Sequence, residues 1–231
     1  MNRPRIGILG GTLDPIHLGH MDTAVAARAA LALDRVLLVP SAVPPHRSAQ
    51  PVASSFHRFA MTALAVNGVE GLASSDLELA TPESPSYTID TLVRFQARTG
   101  LPRTQIFFIT GADAFAEIET WHRYPEVLDL SHFVVVSRPG FPVGELSSRV
   151  PGLADRITTS GGGRGDGSKP SVFLLDVRTR DVSSTEIRRR LRAGEPLTGL
   201  VPASVEAHIR QHDLYNEASF HSTADQLHGQ N

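Results

Sequence analysis

The chain has no cysteine and a single lysine, Lys169, among its 231 residues. Without cysteine there can be no disulfide, thiolate metal site or cysteine nucleophile, so the fold must stand on its apolar core. With one lysine, any grip on phosphate has to come from arginine, histidine, backbone N–H groups or a metal. Long apolar runs are also missing. The opening "MNRPRIGILGG" has no secretory h-region, and no run approaches a membrane span. Nor does one sign of charge dominate: a formal net charge of −2 disfavours a basic nucleic-acid surface while permitting a local basic pocket. Internal repeats are absent. What remains, 41% hydrophobic and 20% charged residues, is ordinary for a globular chain with one sizeable core. A cytoplasmic protein with neither nucleic-acid nor membrane partner is the expectation.

Short apolar runs alternate with helical patterns. "RIGIL" (5–9), "RVLLV" (35–39), "QIFFIT" (105–110), "HFVVVS" (132–137) and "VFLLD" (172–176) have the composition of strands buried on both faces. Between them, Leu18, Met21, Val25, Ala29 and Leu33 keep helical spacing. So do Phe56, Phe59, Ala60, Ala63 and Leu64, opened by Ser54 or Ser55 and closed near Gly68. Ile89, Leu92, Val93 and Gln96 predict a third helix ended by Gly100. The alternation implies an α/β fold, a Rossmann-like doubly wound parallel sheet with helices on both faces. Ligands of such sheets gather beyond the carboxyl ends of the strands. One domain over 1–215 is expected. Segment 158–170, "TTSGGGRGDGSKP", is expected to be a flexible Gly-rich loop, and 216–231 a disordered polar tail. "GDGSK" is no phosphate-binding loop of the Walker kind, because no glycine directly precedes Lys169.

Chemistry concentrates at two places. In "GILGGTLDPIHLGH" (7–20) a strand runs through Gly10, Gly11 and Thr12 into a helix start carrying His17 and His20. The G-x-G-x-x-G spacing is absent, so the dinucleotide signal is weak. The two histidines can be plain helix-start residues; a metal pair is disfavoured because no third ligand follows at a familiar spacing. The third reading lets the glycines bring backbone close to phosphate while both imidazoles donate to its oxygens. Asp14 and Pro15 would rigidify the turn. In "DVSSTEIRRRLRAG" (181–194), Ser183 and Glu186 form a capping box, structurally complete in itself. Yet Ser184, Thr185 and Arg188 crowd the same helix N-terminus, where free N–H groups favour anions. Arg189, Arg190 and Arg192 suit a solvated helix face. Elsewhere, Trp121, the only tryptophan, can be core or a stacking surface for a flat ligand. Asp113 suits a helix cap or a contact to substrate hydroxyls, and Arg138 a surface ion pair or a nucleotide contact.

"GGTLDPIHLGH" and "VSSTEIR" together resemble the paired signatures of the HxGH nucleotidyltransferase superfamily. "PSAVPPHR" (40–47), "SPSYTIDTL" (84–92), "GADAF" (111–115), "TWH" (120–122) and "SRPG" (137–140) follow in the order of the bacterial nicotinate-nucleotide adenylyltransferases. The resemblance spans about residues 5 to 215. It implies adenylyl transfer from ATP to nicotinate mononucleotide, giving deamido-NAD and pyrophosphate. ATP would be held by Gly10, Gly11, Thr12, His17, His20, Ser184, Thr185 and Arg188, with His17, His20, Arg47 and Arg188 catalytic. The acceptor would be held by Thr88, Asp113, Trp121, His122 and Arg138, with backbone N–H groups of Thr88 and His122 on the nicotinate carboxylate. Mg²⁺ would come bound through the ATP phosphates, without protein ligands of its own. Two positions depart from the family: Leu13 stands where phenylalanine is usual, and Arg47 where lysine is usual. Arg47 keeps the cation but not its reach or geometry. Transfer to nicotinamide mononucleotide or another phosphate acceptor, and a non-catalytic nucleotide sensor, are the alternatives. The oligomeric state is left open, a homo-oligomer included.

Overall fold

The computed structural model describes residues 3–44, 52–80, 85–158 and 169–216. Arg47 and nearly all of the 158–170 and 216–231 segments lie outside the described residues. Seven strands are present among those described: β1 (Ile6–Gly11), β2 (Arg35–Pro40), β3 (Leu72–Ser74), β4 (Ile106–Gly111), β5 (His132–Val136), β6 (Ile157–Thr158) and β7 (Val172–Leu175). All pair in parallel, in the order β3-β2-β1-β4-β5-β7-β6. Their helices are α1 (Leu18–Ala30), α2 (Ser55–Val66), α3 (Thr88–Thr99), α4 (Ala112–Phe115), α5 (Leu146–Arg149), α6 (Ser184–Arg192) and α7 (Ala203–Gln211). The five apolar runs are five of the strands. The other two, β3 and β6, have three and two residues, too few for a periodic signal.

Neighbouring residues of the central strands enter opposite cores, which is why their sequences are apolar throughout rather than alternating. Leu9, Phe107, Ile109, Val134 and Val136 pack with α1, α2, α6 and α7, whereas Ile8, Phe108, Phe133 and Val135 pack with α3 and α4. Each fully buried side chain of this kind contributes about 1.5–3 kcal/mol relative to exposure. On β1 one position must stay small: a Cβ at Gly7 would meet Leu33, Ile109 and Val36 at 2.9–3.0 Å.

The helices are where expected, but two faces are rotated from the expected stripes. In α1, Val25 and Ala29 are exposed, while Met21, Ala24, Ala27 and the cap residue Leu31 are buried. In α2, Phe56 is 78% exposed and Leu64 also faces out, while Arg58, Met61, Thr62, Ala65 and Val66 are buried. Aromatic and aliphatic residues marked the wrong side of α2 because its inner face carries an arginine. Val93 of α3 is likewise exposed, and Phe95 takes its place inside. Capping follows expectation more closely. The Ser54 hydroxyl accepts from the His57 N–H, and Gly100 closes α3 in the left-handed conformation.

From β1 the chain proceeds outward to β2 and β3, then returns to lay β4 on the other side of β1. The strand order therefore reverses between β1 and β4, opening a crevice beyond their carboxyl ends. Gly10 and Gly11 end one of these strands; Thr110 and Gly111 end the other. No helix among the described residues is long and apolar enough to cross a membrane.

Candidate active site

His17 is the N-cap of α1 and His20 its third helical residue. Each imidazole caps the other's backbone: the His20 N–H donates to His17 Nδ1 at 3.4 Å, and the His17 N–H to His20 Nδ1 at 3.3 Å. This is the reciprocal geometry of a capping box, made with imidazoles in place of the usual hydroxyl and carboxamide. The rings stack with centroids 3.7 Å apart. Gly19 is what allows this, since a Cβ there would press on the His17 ring and the Arg180 carbonyl at 3.1 Å.

Burial, and secondarily the Arg138 guanidinium, pull His17 from 6.5 down to about 3. Burial, His17 and Arg138 hold His20 well below 6.5. Both are therefore neutral at pH 7. Because each Nδ1 accepts a backbone N–H, the single proton of each ring sits on Nε2. The pair thus forms two preoriented neutral donors at the start of a 13-residue helix, where anions are already favoured.

The second cluster comes to the same place. The Ser184 hydroxyl donates to the Pro15 carbonyl at 2.9 Å, and Arg188 Nη1 to the Asp14 carbonyl at 2.6 Å. Arg188 Nη2 also reaches Thr185 Oγ1 at 3.3 Å. Segments about 170 residues apart in sequence therefore meet beside the histidines. Ser183 caps α6 through the Glu186 N–H, but the Glu186 carboxylate does not complete the expected capping box. It pairs instead with Arg189 and Arg190 on the outer face of the helix, and those bonds lower its pKa to about 2. The Ser184 hydroxyl proton is directed to Pro15, and the Ser184 and Thr185 N–H groups, in the first turn of α6, have no intrahelical acceptor.

Asp14 holds these parts together. Its carboxylate is buried and accepts from the Val52 N–H at 2.8 Å, the Ala53 N–H at 3.1 Å and the Tyr215 hydroxyl at 2.7 Å. Burial and Asp14 push the Tyr215 phenol well above its ordinary range, so it stays a donor. Neither Tyr215 nor Arg58 was anticipated. Tyr215 lies beyond every helical stripe read from the sequence, and Arg58 lies where an apolar face was sought.

Across the crevice, Arg138 Nη1 pairs with Asp113 Oδ2 at 3.2 Å. Asp113 Oδ1 is buried without a hydrogen-bond partner among the described residues, an acceptor left open for a hydroxyl. A side chain at Gly111 would collide with both residues. Next to them is a cavity of about 360 Å³, lined by Tyr87, Thr88, Ala114, Glu117, Trp121 and His122, among others. Trp121 is half-buried and braced edge-on by Phe108 and Phe133, at 6.1 and 6.3 Å between centroids. Thr88 is the first residue of α3, so its N–H has no intrahelical acceptor. The fold thus brings thirteen of the fourteen expected site residues to one crevice, and the fourteenth, Arg47, lies outside the described residues. Among those described, no group of three or more His, Asp or Glu side chains is placed to hold a metal ion.

Comparison with known proteins agrees with this geometry. The family model described as cytidylyltransferase-like matches residues 8–190. A protein of Desulfatibacillum aliphaticivorans is 38% identical, the match covering 91% of this chain and 99% of the relative. One from Thermus thermophilus is 42% identical over 91% and 99%. Both are named "Probable nicotinate-nucleotide adenylyltransferase". Among solved structures, the Plasmodium falciparum nicotinic acid mononucleotide adenylyltransferase complexed with NaAD has the same fold. It matches with a TM-score of 0.71 at 17% identity, covering 92% of this chain and 98% of that one. By its relatives and its sheet, the chain belongs to the nicotinate-nucleotide adenylyltransferase family.

Proposed function

We propose that the protein transfers the adenylyl group of ATP to nicotinate mononucleotide, releasing pyrophosphate and forming nicotinic acid adenine dinucleotide in the cytoplasm. The observation that carries this reading is the meeting of the two chain ends: His17 and His20 stand beside Ser184, Thr185 and Arg188, with an aromatic cavity across the crevice.

The acceptor's phosphate oxygen attacks the α-phosphorus of ATP. A new P–O bond forms as the α–β bridging bond breaks, and the electron pair leaves with pyrophosphate. The nucleophile is mostly dianionic at neutral pH, its second pKa being about 6, so no general base is needed. Two neutral imidazoles serve this chemistry well, since they donate to the reacting phosphate without taking a proton from the attacking one. Their Nε2–H groups stabilise charge on the α-phosphoryl oxygens, while the α6 N-terminus, Thr185 and Arg188 hold the β and γ phosphates. Gly10, Gly11 and Thr12 bring backbone to the triphosphate.

Mg²⁺ would be brought to the site by ATP; the guanidinium, imidazole and N–H groups around the crevice are donors suited to phosphate oxygens rather than to a cation. When bound, it neutralises part of the triphosphate charge.

On the acceptor side, Trp121 stacks on the pyridine ring, and the Thr88 and His122 N–H groups hold its carboxylate. Asp113 accepts from a substrate hydroxyl, and Arg138 keeps Asp113 in place. A carboxylate only accepts hydrogen bonds, whereas a carboxamide also presents donors that would face these N–H groups. Each mismatched buried donor costs about 1–3 kcal/mol. Pyrophosphate release should therefore favour nicotinate over nicotinamide mononucleotide by at least about ten-fold in kcat/KM. Equal or reversed preference would place the acceptor specificity elsewhere.

A further inference from the structure

After β2 the chain leaves the sheet at Ser41–Val43, keeping one bond to the end of β1 and, among the described residues, none to another strand. Yet all six backbone polar groups of these three residues are satisfied. Ser41 N–H donates to the Gly11 carbonyl, and its own carbonyl accepts from Arg58 Nη1 at 2.6 Å. Ala42 N–H donates to Glu78 Oε2 at 3.3 Å, and its carbonyl accepts from Arg58 Nη2 at 3.3 Å. Val43 is paired in both directions with Ser86. Side chains of Arg58 and Glu78 thus stand in for the missing strand neighbour.

Both are unusual places for charge. Arg58 is 1% and Glu78 4% exposed, and such groups are retained in a core only when fully partnered. Burial lowers the Arg58 pKa, while Asp14, Tyr215 and Glu78 act in the opposite direction. Arg58 also takes the Thr12 carbonyl at 2.8 Å and the Ala53 carbonyl at 3.2 Å. Glu78 takes the Thr91 hydroxyl at 2.6 Å, and Thr91 belongs to α3, the helix that begins with Thr88. Ser41, at the start of the held segment, and Pro44, just after it, line a second cavity of about 230 Å³, together with Gly10, Thr12, Glu78, Thr88 and Trp121. There the Ser41 hydroxyl oxygen is buried without a hydrogen-bond partner among the described residues.

We propose that Arg58 and Glu78 are a pair of positioning residues, fixing Ser41–Val43 as the wall between the triphosphate turn and the acceptor pocket. Arg58 ties that wall to the ATP side through Thr12. Glu78 ties it to the acceptor side through Thr91 and α3. The two ties make different demands on the two substrates, and this separates positioning from general stability. The proposal rests on the adenylyl-transfer reading of the same crevice.

Glu78→Gln keeps the shape but has one acceptor oxygen for two donors. Thr91→Val removes the hydroxyl without changing charge. Each should raise KM for nicotinate mononucleotide about ten-fold while KM for ATP stays within two-fold. Arg58→Lys, whose ammonium cannot fork to four carbonyls, should raise both. Urea denaturation shows which variants are folded. An unchanged acceptor KM in both Glu78→Gln and Thr91→Val would overturn the proposal, as would parallel rises for both substrates tracking lost stability. Quenching of Trp121 fluorescence on titration with nicotinate mononucleotide repeats the comparison without turnover. A wild-type protein that binds this nucleotide but never releases pyrophosphate contradicts the functional reading alone; quenching curves identical in wild type and variants contradict the positioning role alone.

Discussion

His20→Ala is expected to lower kcat by about 10²–10³-fold at saturating ATP and acceptor, the usual cost of losing one preorganised donor to developing charge. The substitution also removes a helix cap, because His20 Nδ1 accepts the His17 N–H, so a loss of rate by itself would be ambiguous. His20→Gln resolves it. Glutamine at the third helical position can accept that N–H as in an ordinary capping box, but it lacks the ring that carries Nε2–H toward the phosphate. Stability should return to within about 1 kcal/mol of wild type, and the rate should not. Recovery of both would mean that the imidazole acts only as a cap. Steady-state pyrophosphate release, with urea denaturation of the same samples, provides the comparison.

Asp14→Ala should produce the largest loss of stability, about 3–5 kcal/mol by denaturant unfolding. It strands the Val52 and Ala53 N–H groups and the Tyr215 hydroxyl in a buried site that also contains Arg58. That is a large part of the 5–15 kcal/mol typical of a whole domain. Tyr215→Phe removes one of the three donors and leaves the other two bonds, so about 1–2 kcal/mol is expected. If Asp14→Ala cost no more than Tyr215→Phe, Asp14 would not be the joint between the two chain ends.

The sheet and the two motifs that meet at the crevice were legible for a simple reason. Strands such as Phe133–Val136 are buried on both faces, so their composition alone marks them, and Gly10-Gly11, His17-x-x-His20 and Ser184–Arg188 are contiguous in sequence. What held the site together was not legible. Asp14 and Tyr215 are 201 residues apart, and nothing in either neighbourhood marks the pair. Arg58 sits on the inner face of α2, so a search for apolar spacing chose Phe56 and Leu64, both exposed. Glu78 lies in a polar stretch, "DLELATPE", that has the look of solvated chain. Long-range polar contacts leave no periodic trace in sequence, whereas apolar burial does.

The chain's basic motifs invite a cradle of positive charge, yet its two histidines are held neutral. For His17 the folded pKa of about 3 lies below the unfolded 6.5. The unfolded state therefore binds more protons below pH 6.5, and this residue's contribution to stability declines as pH falls from there toward 3. The most direct measurement is ¹⁵N NMR of the histidine rings at pH 7, assigned through His17→Gln and His20→Gln and followed on adding ATP with Mg²⁺. The account predicts neutral rings protonated at Nε2 for both residues, no titration between pH 8 and 5, and perturbation of both Nε2 signals by ATP. Imidazolium signals at pH 7, or protons on Nδ1, would contradict it.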